Sequence, residues 1–308
     1  MEDEHQRLIR LKPNLQRRAL ICEFTRAFFK EKGFLEVETP IRVPVIAPEL
    51  HIMPFESETW FLSTSPELYL KRMLAAGYDR LFQISHCFRR DERGRWHNPE
   101  FTMLEWYRTG ADYRQMIQDV EQLVVTLASK LGFNTIVKYR GQDIDISLPW
   151  PRVTVRDAFL HAADWDPIAE PDSLRFDTDL ITKVFPSFIP SRPTVLVDYP
   201  AAMASLARLK SDEARVAERA EVFVGGLELA NAYSELRDAQ EQERRFQEAI
   251  EQIHKEQGQH IAMPRQFLEA VAHLPECGGV ALGIDRLVML LCDADAIDEV
   301  IAFTVDTA

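Results

Sequence analysis

Cysteines are few in this sequence and no long apolar run occurs, and these absences exclude several classes of protein. The 308 residues include four cysteines that form no Cys-x-x-Cys pair: Cys22, Cys87, Cys277 and Cys292. A disulfide-rich scaffold and a cysteine-based zinc site are therefore excluded, and we expect a reducing compartment, the cytoplasm. No stretch approaches the roughly 18 apolar residues that a membrane-spanning helix needs, so we expect no membrane contact.

Common signatures of nucleotide-binding and hydrolytic enzymes are also absent. The chain has no GxxxxGK[ST] loop and no GxGxxG between a strand and a helix, and it lacks GxSxG and HExxH. These absences argue against a phosphate loop, a Rossmann fingerprint, a nucleophile-elbow hydrolase and a zincin. A nucleotide, if one is bound, must be held by another arrangement.

The charge balance is acidic, with 49 acidic against 36 basic residues and a formal net charge of −13. Such a chain attracts nucleic acid poorly in a non-specific way. Hydrophobic residues make up 46% of the sequence, enough to bury a sizeable core. The length suits one large domain or two small ones.

Periodicity and turn residues predict helices and antiparallel strand pairs without βαβ repeats, which is typical of an α+β fold. Helices are predicted at 14–32, 66–77, 112–131, 153–164, 238–256 and 264–275. Strands are predicted at 34–40, within 51–62, at 80–90, 101–108 and 194–200, and in a hairpin over 219–238 that turns at Gly225 and Gly226. A glycine-rich strand leads into a helix within 278–294. We interpret the irregular residues 134–218 as an insertion.

A loop between two predicted strands is rich in arginine and could bind phosphate. It contains Arg89, Arg90, Arg93, Arg95 and His97, and Asn98 and Phe101 follow. Guanidinium groups match phosphate oxygens, an amide can pair with a base edge, and an aromatic ring can stack on it. Charge runs often only face solvent, so this loop alone leaves both interpretations open.

Three glutamates follow each other at steps of seven: Glu221, Glu228 and Glu235. In a hairpin that turns at two glycines, Phe223 lies opposite Glu228, so Glu221 and Glu228 are diagonal neighbours within reach of one hard cation. A straight strand would point Glu235 to the other face, and it joins the site only if the chain bends or bulges. The spacing alone favours exposed surface acids.

Two shorter signals are weak by themselves. Arg286 follows the glycines of GGVALGIDRL, where the backbone permits close approach, and it could contact phosphate or simply pair with an acid. Glu67 begins a helix, where a carboxylate suits the helix dipole, and it could equally receive an ammonium group.

Together these segments resemble the three motifs of class II aminoacyl-tRNA synthetases. GFLEVETP (33–40) is similar to motif 1, FRRDERGRWHNPEFTMLEWY (88–107) to motif 2 and GVALGIDRL (279–287) to motif 3. SPELYLKR and ELANAYSEL are similar to the lysine branch of that family. The resemblance implies a class II antiparallel sheet flanked by helices over nearly all of residues 14–305.

The chain is short for a lysyl-tRNA synthetase, because motif 1 begins at residue 33 and leaves no room for an anticodon-binding OB-fold of about 100–150 residues. This organisation resembles the stand-alone paralogues of the lysyl catalytic domain that modify elongation factor P. We therefore expect one catalytic domain over 1–308, with an insertion around 134–218.

For ATP and Mg²⁺, the resemblance implies roles at specific positions. Arg89 binds the α-phosphate and the substrate carboxylate, and His97 and Arg286 bind the distal phosphates. The implied ATP-binding set is Arg89, Arg90, Asp91, His97, Asn98, Phe101, Glu228, Leu229, Gly283 and Arg286, with Arg89 and Arg286 as catalytic residues. Asp91 stands where the family usually has Glu. Glu221 and Glu228 are the implied magnesium ligands.

For the amino acid, the resemblance implies that Glu67 binds the amino group near the carboxylate and that Tyr107 and Glu235 bind the distal ammonium. The full implied set is Ser65, Pro66, Glu67, Tyr107, Asn231, Glu235 and Ala281. Lysyl-tRNA synthetases usually have Gly at the position of Ala281. An added methyl group can change selectivity by ~1–3 kcal/mol, which is consistent with the (R)-β-lysine preference of the paralogues.

The implied function is ATP-dependent activation of lysine or (R)-β-lysine and transfer to a lysine of elongation factor P by a cytoplasmic homodimer, without tRNA. Three alternatives stay open. A truncated ligase acting on tRNA would share the adenylation step, and a non-catalytic paralogue would have damaged motifs. An asparagine-synthetase-like ligase would leave Tyr107 and Glu235 without an ammonium group to bind.

Overall fold

The computed structural model describes residues 3–308, and its architecture is α+β. In chain order the strands are β1 (Leu35–Glu36), β2 (Arg42–Val43), β3 (Glu56–Ser57), β4 (Trp60–Leu62), β5 (Arg80–Phe88), β6 (Glu100–Thr109), β7 (Ile136–Tyr139), β8 (Gln142–Asp145), β9 (Arg152–Thr154), β10 (Thr194–Pro200), β11 (Val216–Val224), β12 (Leu227–Ser234) and β13 (Cys277–Gly283). The α-helices are α1 (Glu4–Glu31), α2 (Glu67–Ala75), α3 (Tyr113–Lys130), α4 (Val155–Ala163), α5 (Ser173–Asp179), α6 (Phe185–Ser187), α7 (Ala239–Gln257), α8 (Arg265–Val271) and α9 (Ile284–Cys292).

A large mixed sheet has the strand order β1-β5-β6-β13-β12-β11-β10-β9. The pairs from β5 across to β10 are antiparallel, while β1 pairs with β5 and β9 pairs with β10 in parallel. The predicted α+β fold with an antiparallel core is therefore confirmed, and a short parallel strand is added at each edge. Strands β2-β4-β3 and β7-β8 form two further small sheets, and β7-β8 packs against the main core.

One face of the large sheet carries the main core, against α1, α3 and α9. The ring of Phe29 in α1 lies 4.8 Å from that of Phe82 and 5.1 Å from that of Trp106, measured between ring centres. Side chains alternate along a strand, so Leu104 and Trp106 point to these helices. Glu105, between them in β6, points to the opposite face.

The opposite face is covered only in part. Leu70 and Leu74 of α2 pack against Leu81 of β5. Next to α2, Phe246 of α7 and Phe267 of α8 lie 5.9 Å apart between ring centres. Toward the opposite edge of this face, α4 and α5 form a separate apolar cluster with β10. The central strands between these coverings are left open.

Most predicted elements are confirmed, and the differences lie at their ends. Helix α1 begins at Glu4, before the predicted residue 14, and continues through Pro13. Proline removes one helical hydrogen bond, but Leu11 is buried, and this packing stabilises the first turns. The strand predicted at 34–40 is shorter in the structure: it spans Leu35–Glu36, and the main-chain N–H of Val37 still donates to the carbonyl of Phe82 at 3.0 Å.

The predicted hairpin is confirmed at its turn. Gly225 and Gly226 have φ values of 60° and 83°, the left-handed backbone that a two-residue type I′ turn requires. No helix within residues 3–308 has both the length and the apolar character needed to cross a membrane.

Candidate active site

A cavity of about 1130 Å³ opens on the face of the sheet that α1, α3 and α9 do not cover. Strands β6, β12 and β13 form its floor. Its walls come from the first turn of α2, the β5–β6 loop, residues 48–52 and α7. Ligand pockets usually measure about 300–1,000 Å³, so this cavity can hold a nucleotide together with a second small substrate.

Strand register explains which side chains meet on the floor. Ala281 of β13 lies opposite Glu105 of β6 on one side and opposite Asn231 of β12 on the other. Gly279 lies opposite Tyr107 in the same way. Opposite residues in antiparallel strands point to the same face, so one apolar methyl group separates a carboxylate from an amide.

A bulge in β12 determines where the three evenly spaced glutamates point. Phe223 lies opposite Glu228, as predicted, but the next pair of the ladder skips Leu229. The extra residue shifts the alternation, so Glu228 and Asn231 both line the cavity although they are three positions apart. Glu235 then reaches the same side of the sheet, where it contacts α2. The bend on which its prediction depended is supplied by this bulge.

One end of the cavity is cationic. Nη2 of Arg286 lies 2.6 Å from Nε2 of His97, and the Arg89 guanidinium lies 5.2 Å from the centre of the Phe101 ring. Nη1 of Arg89 donates to the Glu92 carboxylate at 3.0 Å. Burial and the charge of Arg286 lower the pKa of His97. Two guanidinium groups converging in one cavity suit a polyanion such as a triphosphate.

Two carboxylates beside this end are each held by an arginine. Glu221 accepts a hydrogen bond of 2.6 Å from Arg219, and Oε2 of Glu228 lies 3.6 Å from Nη1 of Arg286. Burial raises the pKa of Glu228, and repulsion from Glu221 adds to the shift. A cation between these carboxylates would relieve that repulsion.

A metal ion at this position would need other ligands. Within residues 3–308, no group of three or more His, Cys, Asp or Glu side chains is arranged to hold one. Glu221 and Glu228 would by themselves supply two carboxylates, the ligand type that hard cations prefer.

The other end of the cavity is acidic and contains a buried ion-paired cluster. Nζ of Lys71, on α2, contacts Oε1 of Glu67 and Oε2 of Glu235. Burial opposes the charge on Lys71, but Glu235 and Glu67 outweigh this and raise its pKa. Burial also raises the pKa of Glu235 to about 7, although Lys71 lowers it. The cluster is tightly held because each charge is paired within the protein interior.

Glu105 is the second acidic group at this end. Its carboxylate accepts hydrogen bonds from Ser65 Oγ at 2.6 Å and from Tyr107 Oη at 3.0 Å. Ser65 Oγ in turn accepts the main-chain N–H of Glu67 at 3.0 Å. Burial raises the pKa of Glu105 to about 8, and Glu67 adds to the shift. A cationic ligand at this end would stabilise the ionised forms of Glu105 and Glu235.

Most sequence-predicted site residues lie on the cavity walls: Ser65, Glu67, Arg89, His97, Asn98, Phe101, Tyr107, Glu228, Leu229, Asn231, Ala281, Gly283 and Arg286. The Asn98 amide is already used, since it donates to the carbonyl of Glu100 at 2.6 Å and accepts the N–H of Val305 at 3.1 Å. Glu221 and Glu235 are covered by neighbouring side chains just behind the wall.

Three predicted residues lie away from the cavity walls. Arg90 and Asp91 turn outward and pair with each other at 3.5 Å, and the following residue, Glu92, faces the cavity instead. Pro66 lies just before α2 and does not reach the wall, unlike its two neighbours. The turn of the β5–β6 loop decides which acid faces inward, and that turn could not be predicted from charge alone.

The wall or near-wall residues that were missed include Glu49, Lys71, Glu92, Glu105 and Arg219. A signal existed for Glu105, because a carboxylate two positions before Tyr107 in an apolar strand shares its face. Lys71 follows Glu67 by four residues on the same helix, the spacing of an ion pair. Nothing in the sequence pattern distinguishes Glu49 or Arg219.

The family model described as tRNA synthetases class II (D, K and N) matches residues 5–307. The chain belongs to this family. Class II synthetases are ATP-using ligases, and the cationic end of the cavity agrees with such a substrate. The chain also matches proteins from Salmonella dublin, Salmonella paratyphi B and Salmonella heidelberg, each named elongation factor P--(R)-beta-lysine ligase. Each is 39% identical over 317 aligned positions that cover 96% of both chains.

Proposed function

We propose that this class II enzyme activates (R)-β-lysine with ATP and transfers it to a lysine ε-amine of elongation factor P. The names of its relatives support this reaction, because these relatives align with 96% of the chain. One structural observation carries the proposal: guanidinium groups lie at one end of a single cavity, and buried carboxylates lie at the other. ATP and an amino acid with two ammonium groups complement these ends.

The first step forms an adenylate. A carboxylate oxygen of the amino acid bonds to the α-phosphorus of ATP while the bond to pyrophosphate breaks. Arg89 binds the α-phosphate and the reacting carboxylate, and Arg286 and His97 bind the distal phosphates. The protein supplies no nucleophile, so positioning and charge neutralisation lower the barrier.

The adenine is expected beside Asn98 and the ring of Phe101, with Leu229 and Gly283 closing the site. Two hydrogen bonds between the Asn98 side-chain amide and main-chain groups hold this side chain in one orientation. We leave Arg90 and Asp91 out of the ATP site because their side chains face away from the cavity.

We propose that Glu221 and Glu228 would hold Mg²⁺ when ATP is bound. Bound there, the ion would neutralise charge on the triphosphate. The raised pKa of Glu228 supports a cation between the two carboxylates. Arg286, now near Glu228, is close enough to exchange that partner for a phosphate.

The amino acid occupies the acidic end in this proposal. Glu67 and Glu105 receive the amino group nearer the carboxylate, and Tyr107 and Glu235 receive the distal ammonium. Asn231 and Ala281 line the space between them. The methyl group of Ala281 lies opposite Glu105, so it bears on where the nearer amino group sits.

The second step moves the lysyl group to the acceptor. The neutral ε-amine attacks the carbonyl carbon of the adenylate, the bond to AMP breaks, and the amine proton leaves with the phosphate. The products are an amide and AMP.

We further propose a cytoplasmic homodimer of single catalytic domains, each with an insertion around 134–218, that does not act on tRNA. The motif 1 resemblance supports the dimer. The free state of Cys22, Cys87, Cys277 and Cys292 agrees with a reducing compartment.

Pyrophosphate exchange with α-lysine and both β-lysine enantiomers tests the first step. Mass spectrometry of elongation factor P after incubation with enzyme, ATP and the preferred isomer tests the second. We expect fastest exchange with (R)-β-lysine and the gain of one lysyl mass on the factor. Label appearing only on tRNA would reject the acceptor, and no exchange with any isomer would reject the enzyme itself.

A further inference from the structure

Lys71 lies beneath the acidic end of the cavity and bridges two of its carboxylates. Its Nζ contacts Oε1 of Glu67, one helical turn earlier on α2, and Oε2 of Glu235, which follows β12. The exposed fractions of the Lys71, Glu67 and Glu235 side chains are 2%, 10% and 0%. A lysine so deeply buried is costly unless paired, and this one is paired on two sides.

The two carboxylates are those proposed to receive the two ammonium groups of the substrate. Oε1 of Glu235 has no hydrogen-bond partner in the described structure. It lies against Gly279, where a side chain would collide with it and with the Tyr107 ring. One oxygen of Glu235 thus contacts Lys71, and the other lies buried beside Gly279 and the Tyr107 ring, just behind the cavity wall, without a hydrogen-bond partner.

With Lys71 present, the acidic end has a net charge of minus two when its three glutamates are ionised. Glu67, Glu105 and Glu235 together carry three negative charges when ionised, and Lys71 offsets one of them. The remainder equals the two positive charges on the ammonium groups of a diamino acid.

Other titratable groups also face the cluster. The centre of the Tyr107 ring lies 5.9 Å from Nζ of Lys71. The thiol of Cys277 in β13 interacts with the charges of Glu235 and Lys71. Burial raises the pKa of Glu49 to about 7, Glu67 adds to the shift, and Arg89, Arg219 and Lys71 oppose it. The neutral Tyr107 and Cys277 leave the count unchanged.

We propose that Lys71 is a positioning and specificity-determining residue: its ammonium orients the Glu67 and Glu235 carboxylates, so that the pocket selects an amino acid with two ammonium groups. This inference rests on the proposed function and adds a residue to it. Lys71 lowers the pKa of Glu235, which burial raises, so without this cation Glu235 takes up a proton near neutral pH and must lose it before it can bind an ammonium group.

The test measures pyrophosphate exchange with (R)-β-lysine from pH 6 to 9.5 for the wild type, Lys71→Met and Lys71→Gln. Arg72→Met is the matched control, because Arg72 is the next residue on α2 and its guanidinium lies over Tyr69 rather than in the cluster. For both Lys71 variants we expect KM for the amino acid at pH 7.5 to rise at least tenfold and KM for ATP to change less than twofold. The acid limb of kcat/KM should move up by at least one pH unit.

Three other results would overturn the role of Lys71, and one would overturn the proposed function. A Lys71 variant that folds and keeps the wild-type acid limb overturns the role of Lys71, as does failure of both variants to fold, which would make the residue purely structural. A wild type that shows no exchange with any lysine isomer overturns the proposed function instead. A shift in Arg72→Met equal to that of Lys71→Met would attribute the effect to general charge on α2 and overturn the inference.

Discussion

Arg286 donates a hydrogen bond of 2.7 Å to the main-chain carbonyl of Glu228, which lies 58 positions earlier in the chain. The helix that begins after β13 therefore directs its first turn over the hairpin strand β12. The same guanidinium contacts His97 from the β5–β6 loop. Three segments that are weak signals in isolation meet at one side chain, and this convergence is what the enzyme proposal requires.

We expect Arg286→Met to reduce kcat/KM for ATP in pyrophosphate exchange by about 10²–10³-fold, the usual effect of losing one preorganised charge at a reacting group. Circular dichroism should stay unchanged. Arg215→Met is the control, because Arg215 is 65% exposed and pairs with Glu213 on the surface. A loss below threefold in Arg286→Met would contradict its phosphate role.

The sequence predicted the elements of this fold better than their meeting points. The pairing of Phe223 with Glu228 follows from the two-residue turn, since local turn geometry determines register. The skip at Leu229 does not, because a bulge depends on how β12 packs between two strands. Because the bulge could not be predicted, the sequence alone indicates only that Glu235 joins the site if the strand bends or bulges.

Buried charges show the same limit of sequence-based prediction. Lys71 looks like an ordinary surface lysine at helical spacing from Glu67, and only tertiary packing shows that it is 2% exposed. The β5–β6 loop was correctly identified as arginine-rich. Which of its acids faces the cavity, Glu92 rather than Asp91, depends on the loop's turns and not on its composition.

Binding of the amino acid should strengthen as pH rises toward 8. Burial raises the pKa of Glu105 to about 8, so at pH 7 this carboxyl is mostly protonated in the free protein. An ammonium ligand favours the ionised form, and the proton must therefore be released on binding. Calorimetry at pH 7 in buffers of different ionisation enthalpy should detect that release.

A matched variant separates Glu105 from other groups. Glu105→Gln should reduce the proton release and weaken the dependence of binding on pH between 6 and 8. If the wild type binds (R)-β-lysine at pH 7 without releasing a proton, Glu105 is already ionised and the expected role of its burial is wrong.

Ala281→Gly should relax the choice between lysine isomers. The methyl group lies on the cavity floor between Glu105 and Asn231, and a single methyl changes discrimination by about 10–200-fold. We expect the ratio of kcat/KM for (R)-β-lysine over α-lysine to fall about tenfold or more. An unchanged ratio would show that the selectivity arises elsewhere in the pocket.

The core under the sheet should be sensitive at Phe29. Its ring is fully buried against Phe34, Phe82 and Trp106. Phe29→Ala should lower the free energy of unfolding by about 3–5 kcal/mol, as large core truncations do. Urea denaturation measures this loss, and a change below 1 kcal/mol would mean that α1 contributes little to the fold.

Adjacent glycines on β13 offer the sharpest test of the cavity floor, because they face opposite sides of the sheet. A Cβ at Gly279 would collide with the Tyr107 ring and the Glu235 carboxylate, whereas a Cβ at Gly278 would meet Met116 of α3. Both Gly→Ala variants should lose about 1–3 kcal/mol of unfolding free energy through overpacking.

Only the first of these variants should affect the substrate. Gly279→Ala should raise KM for (R)-β-lysine at least tenfold with KM for ATP unchanged, since the methyl group enters the acidic end and not the phosphate end. Gly278→Ala should keep both constants within twofold, because its methyl group points into the helical layer. If the two variants raised KM for the amino acid equally, the effect would come from general loosening of β13, and the acidic end would not be the amino acid site.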